Sequence, residues 1–194
     1  MTKNILIAGV GGQGTVLASR VLGKLAADAG WDVKVSEVHG MARRGGSVLT
    51  YVRFGEEVAS PLIEAGQADA LLAFESLEAL RYLHCVKPGG AVIASAQRIL
   101  PMAVIAGKEA YPEDIEARLS ASGCKVTLVD ALSLAREAGM ARAANSVLIG
   151  VLSGAMEDLP EESFLAALRA CVPPATVAAN EAAFLAGRKL TVGR

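Results

Sequence analysis

The sequence contains few of the residues that metal ions and iron–sulfur clusters require. Its 194 residues include three widely spaced cysteines and two histidines, which are Cys85, Cys124, Cys171, His39 and His84. They form no C-x-x-C pair and no Cys/His cluster with the spacing of metal ligands. An iron–sulfur cluster needs about four suitably placed thiolates. We therefore expect free, buried or half-buried thiols and no metal site in this chain.

An excess of positive charge and long apolar runs are also absent. The formal net charge is −1, which gives no electrostatic footprint for nucleic acid. Charged residues or glycines interrupt every apolar stretch before the ~20 residues that a membrane span requires, and no basic segment precedes an apolar one at the N-terminus. The composition thus predicts a cytoplasmic protein that binds neither nucleic acid nor membrane. Aromatic residues make up only 4% against 53% hydrophobic residues, which indicates an aliphatic core within a single domain, residues 1–194.

Short apolar runs alternate with longer helical segments, a pattern typical of βαβ units. Strands are predicted at 4–8, 32–37, 47–54, 70–74, 91–94 and 125–129. Helices are predicted at 13–29, 75–83, 112–121, 131–138, 144–156, 161–170 and 175–186. Residues 55–57 suggest a turn that pairs 47–54 with 58–60 in a hairpin, and 87–90 suggest another turn. The expected fold is α/β, a mostly parallel sheet with a Gly-rich strand–turn–helix at the N-terminus, flanking helices and a helical C-terminal region.

A glycine-rich turn follows the first predicted strand. Gly9, Gly11 and Gly14 match the pattern G-x-G-x-x-G, with Gly12 and Gln13 between them. Such a turn directs backbone N–H groups and the positive end of a helix dipole toward any anion placed there. The same glycines can simply let strand and helix pack closely. The pattern alone leaves a binding loop and a structural turn equally open.

A second loop, residues 39–47, follows the second predicted strand. Its three glycines and two arginines are Gly40, Gly45, Gly46, Arg43 and Arg44. Glycines permit unusual backbone conformations, and arginines present forked donors that suit phosphate or carboxylate. From composition alone a solvated turn is slightly favoured, and His39 is more often a hydrogen-bonding loop residue than a catalyst. Both loops are expected at the carboxyl edge of the sheet, where such folds bind ligands.

A dinucleotide site would place an acidic residue at the end of the second strand to bind a ribose hydroxyl, and Glu37 lies there. Two features oppose this interpretation: the arginines in the next loop, and the predicted hairpin in place of a second βαβ unit. The chain also offers no substrate domain with a proton donor. A stand-alone NAD(P)-binding Rossmann-type oxidoreductase is therefore the less favoured alternative.

Three segments in the same order carry a family resemblance. Residues 9–14 (GVGGQG), 36–48 (SEVHGMARRGGSV) and 60–63 (SPLI) resemble the gamma-type subunit of the 2-oxoacid:ferredoxin oxidoreductases, with the indolepyruvate branch as the nearest. The similarity extends through residues 69–75, the segment 87–90 and the helix around Asn145. Together these segments are far more specific than the glycine loop alone.

The resemblance implies a subunit of an enzyme that oxidatively decarboxylates a 2-oxoacid with coenzyme A, giving an acyl-CoA, carbon dioxide and reduced ferredoxin. In that family thiamine diphosphate, Mg²⁺ and iron–sulfur clusters carry the chemistry. This sequence has no Gly-Asp-Gly diphosphate motif and too few cysteines for a cluster. We therefore expect those groups on a larger partner subunit, through which ferredoxin is reached. The chain alone should be inactive, and the isolated chain could form a homodimer.

The resemblance also directs attention to a shared site, with coenzyme A as the co-substrate that this chain could contact. The residues expected to bind the ligand are Gly9, Gly11, Gly12, Gln13, Gly14, His39, Arg43, Arg44, Gly45, Gly46 and Asn145. No catalytic residue is assigned. In the other open alternative the chain is a non-catalytic scaffold. Its interface would include Phe164, Leu165, Leu168 and Phe184, for which ordinary core is the favoured interpretation.

Overall fold

The computed structural model describes residues 2–40, 45–156 and 158–191. Six strands form one sheet in the order β2-β3-β1-β4-β5-β6. They are β1 Lys3–Val10, β2 Asp32–His39, β3 Ser47–Gly55, β4 Ala68–Ala73, β5 Val86–Ser95 and β6 Lys125–Val129. β1, β4, β5 and β6 pair in parallel, whereas β3 runs antiparallel to both β1 and β2. The predicted α/β class with a mostly parallel sheet is confirmed.

Eight α-helices lie in the described residues. They are α1 Thr15–Asp28, α2 Ser76–Tyr82, α3 Met102–Ile105, α4 Ile115–Ser120, α5 Ala131–Glu137, α6 Ala144–Gly154, α7 Glu161–Cys171 and α8 Val177–Arg188. Short 3₁₀ turns occupy Leu83–Cys85, Ala141–Ala143 and Pro174–Thr176. The predicted helical C-terminal region is confirmed. Among the residues described, no helix combines the length and the apolar character needed to cross a membrane.

The hairpin predicted between 47–54 and 58–60 is wrong. β3 pairs instead with β1 and β2, so that Val52 faces Ile5 on one side and Val35 on the other. Side chains satisfy the backbone of the segment that follows β3: Asp32 accepts from the Val58 N–H (2.9 Å), and Arg53 donates to the Ser60 carbonyl (2.8 Å). This segment therefore needs no strand partner.

The turn predicted at 87–90 is also wrong, because these residues lie inside β5. The pairing of β5 with β4 shifts there, from Ala68 opposite Val86 to Ala70 opposite Ala91. The extra residues on β5 form a bulge in the strand, and Gly89 takes a positive φ of 71°. The glycines that indicate a turn thus serve a bulge.

Each face of the sheet carries its own aliphatic core. Helices α1, α6, α7 and α8 contribute to the core on one face, and α2 and α4 contribute to the core on the other. Phe164, Leu165, Leu168 and Phe184 are buried in the first core, which confirms the interpretation as core. Helices α6 and α8 approach very closely, since a Cβ at Gly187 would lie 2.0 Å from the Val147 carbonyl oxygen.

Candidate functional site

The two predicted loops meet at one edge of the sheet. β1, β4, β5 and β6 all end there, and β2 runs in the same direction, so the β2–β3 loop starts at that edge. The Gly11 N–H donates to the Gly46 carbonyl at 2.9 Å, and the Gly40 N–H donates to the Ser47 carbonyl at 3.2 Å. The glycine turn and the described ends of the second loop, residues 39–40 and 45–47, therefore lie at the carboxyl edge as expected, and the two are in direct contact.

The arginines of the second loop, Arg43 and Arg44, lie outside the described residues. His39 ends β2, and its Nε2 lies 2.5 Å from Glu37 Oε1. The other Glu37 oxygen accepts from the Thr50 hydroxyl at 3.2 Å. Because β3 is inserted between β2 and β1, Glu37 is two strand spacings, about 10 Å, from the glycine loop. This position does not suit a carboxylate that binds the ribose of a dinucleotide held by that loop.

The glycines between β1 and α1 have distinct roles. A Cβ at Gly9 would lie 2.9 Å from Thr15 Cγ2 and 3.2 Å from Phe74 Cβ, so Gly9 permits close packing of strand, helix and β4. Gly12 and Gly14 take positive φ values of 99° and 77°, a region that side chains disfavour. A Cβ at Gly12 would meet no atom within 4 Å. The backbone at Gly12 is therefore open to a ligand.

Gln13 fastens this turn to the neighbouring strand. Its Oε1 accepts from the Val10 N–H (2.8 Å), and its Nε2 donates to the Phe74 carbonyl (2.8 Å) and to Gln97 Oε1 (3.1 Å). Both amide donors are thus used within the chain. Gln13 holds the ends of β1 and β4 together rather than offering a donor to a ligand.

Two helices begin beside the glycine turn. Gly14 precedes α1 and supplies no side-chain cap, and Ala143 likewise precedes α6 without one. Asn145, in the first turn of α6, donates from Nδ2 to the Gly14 carbonyl at 3.1 Å, so it fixes the two helix starts relative to each other. The N–H groups and dipoles of both helix starts favour negative charge in the space between them.

A cleft of about 450 Å³ occupies that space. Four of the predicted residues line it: Gly12, Gln13, Gly14 and Asn145. Gln97 and Arg142, which the sequence did not indicate, also line it. Both belong to segments without a recognisable motif, a loop after β5 and a 3₁₀ turn before α6, and only the tertiary fold brings them to the glycine turn. The exposed Arg142 side chain adds a cation to the cleft.

A hydrogen-bonded cluster of buried acidic residues supports the same edge from the side of α2. Glu75, only 1% exposed, follows β4 and accepts hydrogen bonds from the N–H of Glu78 (2.9 Å), the N–H of Ile99 (3.1 Å) and the Tyr111 hydroxyl (2.6 Å). Burial, together with the hydrogen bond to Glu75, raises the pKa of Tyr111 to about 12. Glu75 therefore ties the segment after β5 to the start of α2.

Glu78 is the second buried carboxyl group, in the first turn of α2. It accepts from the Ser47 hydroxyl at 2.5 Å and lies 3.2 Å from the Arg81 guanidinium. Burial raises the pKa of Glu78, while Ser47 and Arg81 oppose that rise.

Within residues 2–40, 45–156 and 158–191, no three His, Cys, Asp or Glu side chains are grouped so that they could hold a metal ion. The three cysteines are free and half-buried.

Comparison with known proteins places this architecture in a family. The model of the pyruvate ferredoxin/flavodoxin oxidoreductase family matches residues 4–190. The chain belongs to this family. It is 45% identical over 190 residues to the indolepyruvate oxidoreductase subunit IorB of Thermococcus kodakarensis, covering 96% of this chain and 94% of that subunit. The resemblance drawn from the three sequence segments is confirmed.

Two solved structures share the fold of this oxidoreductase family member. The gamma subunit of a keto/oxoacid ferredoxin oxidoreductase from Geobacter sulfurreducens superposes with a TM-score of 0.74 at 23% identity, over 99% of both chains. A 2-oxoglutarate:ferredoxin oxidoreductase from Magnetococcus marinus, solved with 2-oxoglutarate, coenzyme A and succinyl-CoA bound, also superposes with a TM-score of 0.74, at 22% identity. This chain is matched over its full length but spans 31% of that protein. The same fold is therefore found both in a chain of this length and within a longer polypeptide.

The chemistry of the cleft suits binding better than bond making. Open backbone N–H groups, two helix starts and Arg142 favour a phosphate or carboxylate group. In this family member, the glycine turn contacts the described exit of the β2–β3 loop at the carboxyl edge, through the bond between Gly11 and Gly46. Such an edge can hold an anionic group.

Proposed function

We propose that this chain is the gamma-type subunit of a 2-oxoacid:ferredoxin oxidoreductase that acts on indolepyruvate or a similar arylpyruvate. In the reaction the 2-oxoacid loses its carboxylate as carbon dioxide, and its acyl carbon is oxidised and joined to the thiol sulfur of coenzyme A. The electrons released pass to ferredoxin. The single observation that carries this proposal is the 45% identity to an indolepyruvate oxidoreductase subunit over 96% of the chain.

We further propose that a larger partner subunit holds thiamine diphosphate, Mg²⁺ and the iron–sulfur clusters. The cysteines of this chain are too few and too widely spaced to ligate a cluster, and its described acidic residues do not converge on a metal site. Thiamine diphosphate, bound on the partner, supplies the electron sink for decarboxylation. The contribution of this chain, as one domain over residues 1–194, is to bind and orient the co-substrate.

The proposed ligand of the cleft is the phosphate-bearing part of coenzyme A. Gly12 and Gly14 would offer backbone donors, whereas Gly11 gives its N–H to the Gly46 carbonyl and so positions the turn. Asn145 would keep the start of α6 beside them, as supported by its bond to the Gly14 carbonyl. Arg142, which also lines the cleft, would neutralise phosphate charge. The charged contribution from the β2–β3 loop is assigned to Arg43 and Arg44, and the orientation of that loop to His39, Gly45 and Gly46, of which Gly46 bonds to Gly11.

Single arginine substitutions in the reconstituted complex test this assignment. A charge-assisted contact to phosphate contributes about 1–3 kcal/mol, so loss of one arginine should weaken coenzyme A binding about tenfold to a hundredfold. We expect Arg43→Ala, Arg44→Ala and Arg142→Ala to raise the KM for coenzyme A by this factor. Arg118→Ala is the matched control, because Arg118 lies exposed on α4, away from the cleft.

The outcome also separates this proposal from the scaffold alternative. If all three cleft variants keep the wild-type KM and kcat, the loops are structural and the chain contributes assembly rather than ligand contacts. If the cleft variants lose affinity while Arg118→Ala retains it, the anion site is assigned correctly. Direct titration of coenzyme A into the complex gives the same comparison without turnover.

A further inference from the structure

The exit of the β2–β3 loop, formed by Gly46 and Ser47, is tied to three separate parts of the molecule. The Gly46 carbonyl accepts from the Gly11 N–H at 2.9 Å, and the Ser47 carbonyl accepts from the Gly40 N–H at 3.2 Å. The Ser47 hydroxyl donates to Glu78 Oε2 at 2.5 Å. The loop exit is thus the point where the glycine turn, the start of the loop and helix α2 are joined.

The side chain that anchors this exit on α2 is unusual for its position. Glu75 caps α2 by accepting from the N–H of Glu78 at 2.9 Å. In a capping box, the residue at the position of Glu78 would return its carboxylate to the backbone N–H of the cap. Glu78 directs its oxygens to Ser47 and Arg81 instead. Local helix capping therefore does not account for this carboxylate.

Burial makes Glu78 costly to the fold. Its side chain is only 4% exposed, and a well-packed apolar side chain at such a position is often no less stable than a buried charge. Burial raises the pKa of Glu78, and Glu75 adds to the rise, while Ser47 and Arg81 oppose it. Because the ionised Glu78 carboxylate does not favour burial, its presence in the core is better explained by its contact with Ser47 than by a gain in global stability.

We infer that Glu78 is a positioning residue that holds the Ser47 hydroxyl, keeps Gly46 bonded to Gly11, and so fixes the exit of the β2–β3 loop, Gly46 and Ser47, against the glycine turn. Glu78 does not line the cleft itself. It acts on the glycine turn indirectly, because its bond to Ser47 on β3 holds the neighbouring Gly46 in place. Tyr82 strengthens this contact, because its hydroxyl lies 3.1 Å from the same Ser47 oxygen. The kinetic consequence of this inference rests on the proposed function, but its structural part does not.

Hydrogen exchange of the Gly11 amide in the full chain tests the structural part directly. Ser47→Ala deletes only the hydroxyl that bonds to Glu78, and it should speed hydrogen exchange of the Gly11 amide about tenfold. Glu78→Gln should speed it about threefold, because an amide oxygen still accepts from Ser47 without charge assistance. Amides of α6 should keep their wild-type protection in both variants. Glu116→Gln, an exposed first-turn glutamate of α4, is the control and should leave Gly11 unchanged.

Kinetics of the reconstituted complex then tests what the positioning does. We expect Glu78→Gln and Ser47→Ala to raise the KM for coenzyme A in proportion to the Gly11 exchange rate while kcat stays within about twofold, a split that a general loss of folded protein would not produce. Unchanged Gly11 exchange in Ser47→Ala overturns the inference whatever the kinetics. Faster exchange with an unchanged KM leaves the positioning role standing and counts against the proposed coenzyme A site.

Discussion

Replacement of Gln13 by methionine gives a quantitative test of how the glycine turn is held. The Gln13 amide makes three hydrogen bonds, to the Val10 N–H, the Phe74 carbonyl and Gln97 Oε1. Methionine has nearly the same length but makes none of them. At about 1 kcal/mol net for each bond, Gln13→Met should lower the free energy of unfolding by about 3 kcal/mol. That is a large part of the 5–15 kcal/mol typical of a domain.

The companion variant Gln97→Ala separates the bond that Gln13 makes to another side chain from its two bonds to the backbone. It removes only the exposed 3.1 Å contact between the two glutamines, so we expect a loss of about 0.5 kcal/mol. Urea denaturation provides both values from the shift in midpoint, provided that the slope of the transition is unchanged. The reasoning is refuted if Gln13→Met unfolds within about 0.5 kcal/mol of wild type, or if Gln97→Ala costs as much as Gln13→Met.

Three further predictions concern packing and titration. Gly187→Ala should lower the free energy of unfolding by at least about 3 kcal/mol, because its Cβ would lie 2.0 Å from a carbonyl oxygen of α6. Gly23→Ala, whose Cβ would meet only one atom at 4.0 Å, should raise it by about 0.5–1 kcal/mol through higher helix propensity. Thermal denaturation measures both changes, and equal effects of the two variants would contradict this reasoning. Tyr111 should titrate at a pKa of about 12, so the stability it contributes is present below pH 10 and lost as the pH rises through about 12. In a titration followed by phenolate absorbance, Tyr111→Phe should therefore remove the step at the highest pH rather than a step near pH 10. The pKa of Glu78 is raised above 4.5, so wild type should lose stability relative to Glu78→Gln as the pH rises from below 4.5 through the folded-state pKa. Urea midpoints that shift equally for the two proteins over that range would show that burial does not perturb Glu78.

Local sequence signals predicted most of the elements, because caps, glycines and periodicity act over a few residues. The glycine turn placed the junction of β1 and α1 to within two residues, and helical spacing predicted α2 at 75–83, where the helix runs from Ser76 to Tyr82. Pairing between distant strands was not available from such signals. Nothing in residues 47–54 shows that the strand inserts between β1 and β2, and the glycines at 87–90 suit a bulge as well as a turn.

The candidate site shows the same division. The glycine turn and Asn145 were identified from motif and resemblance, and the structure brings them together through the Gly14 carbonyl. Gln97 and Arg142 come from segments that carry no motif, so only the packing of the fold places them in the cleft. The sequence also could not show that Gln13 uses both of its donors internally. That assignment depends on the position of β4 beside β1.

The most direct test of the proposed division of labour is reconstitution from separately purified subunits. Ferredoxin reduction by indolepyruvate and coenzyme A is measured for this chain, for its larger partner and for the mixture. The account predicts no turnover by this chain alone and coenzyme A-dependent turnover by the mixture. Sustained indolepyruvate oxidation by this chain alone, with a redox centre of its own, would contradict it.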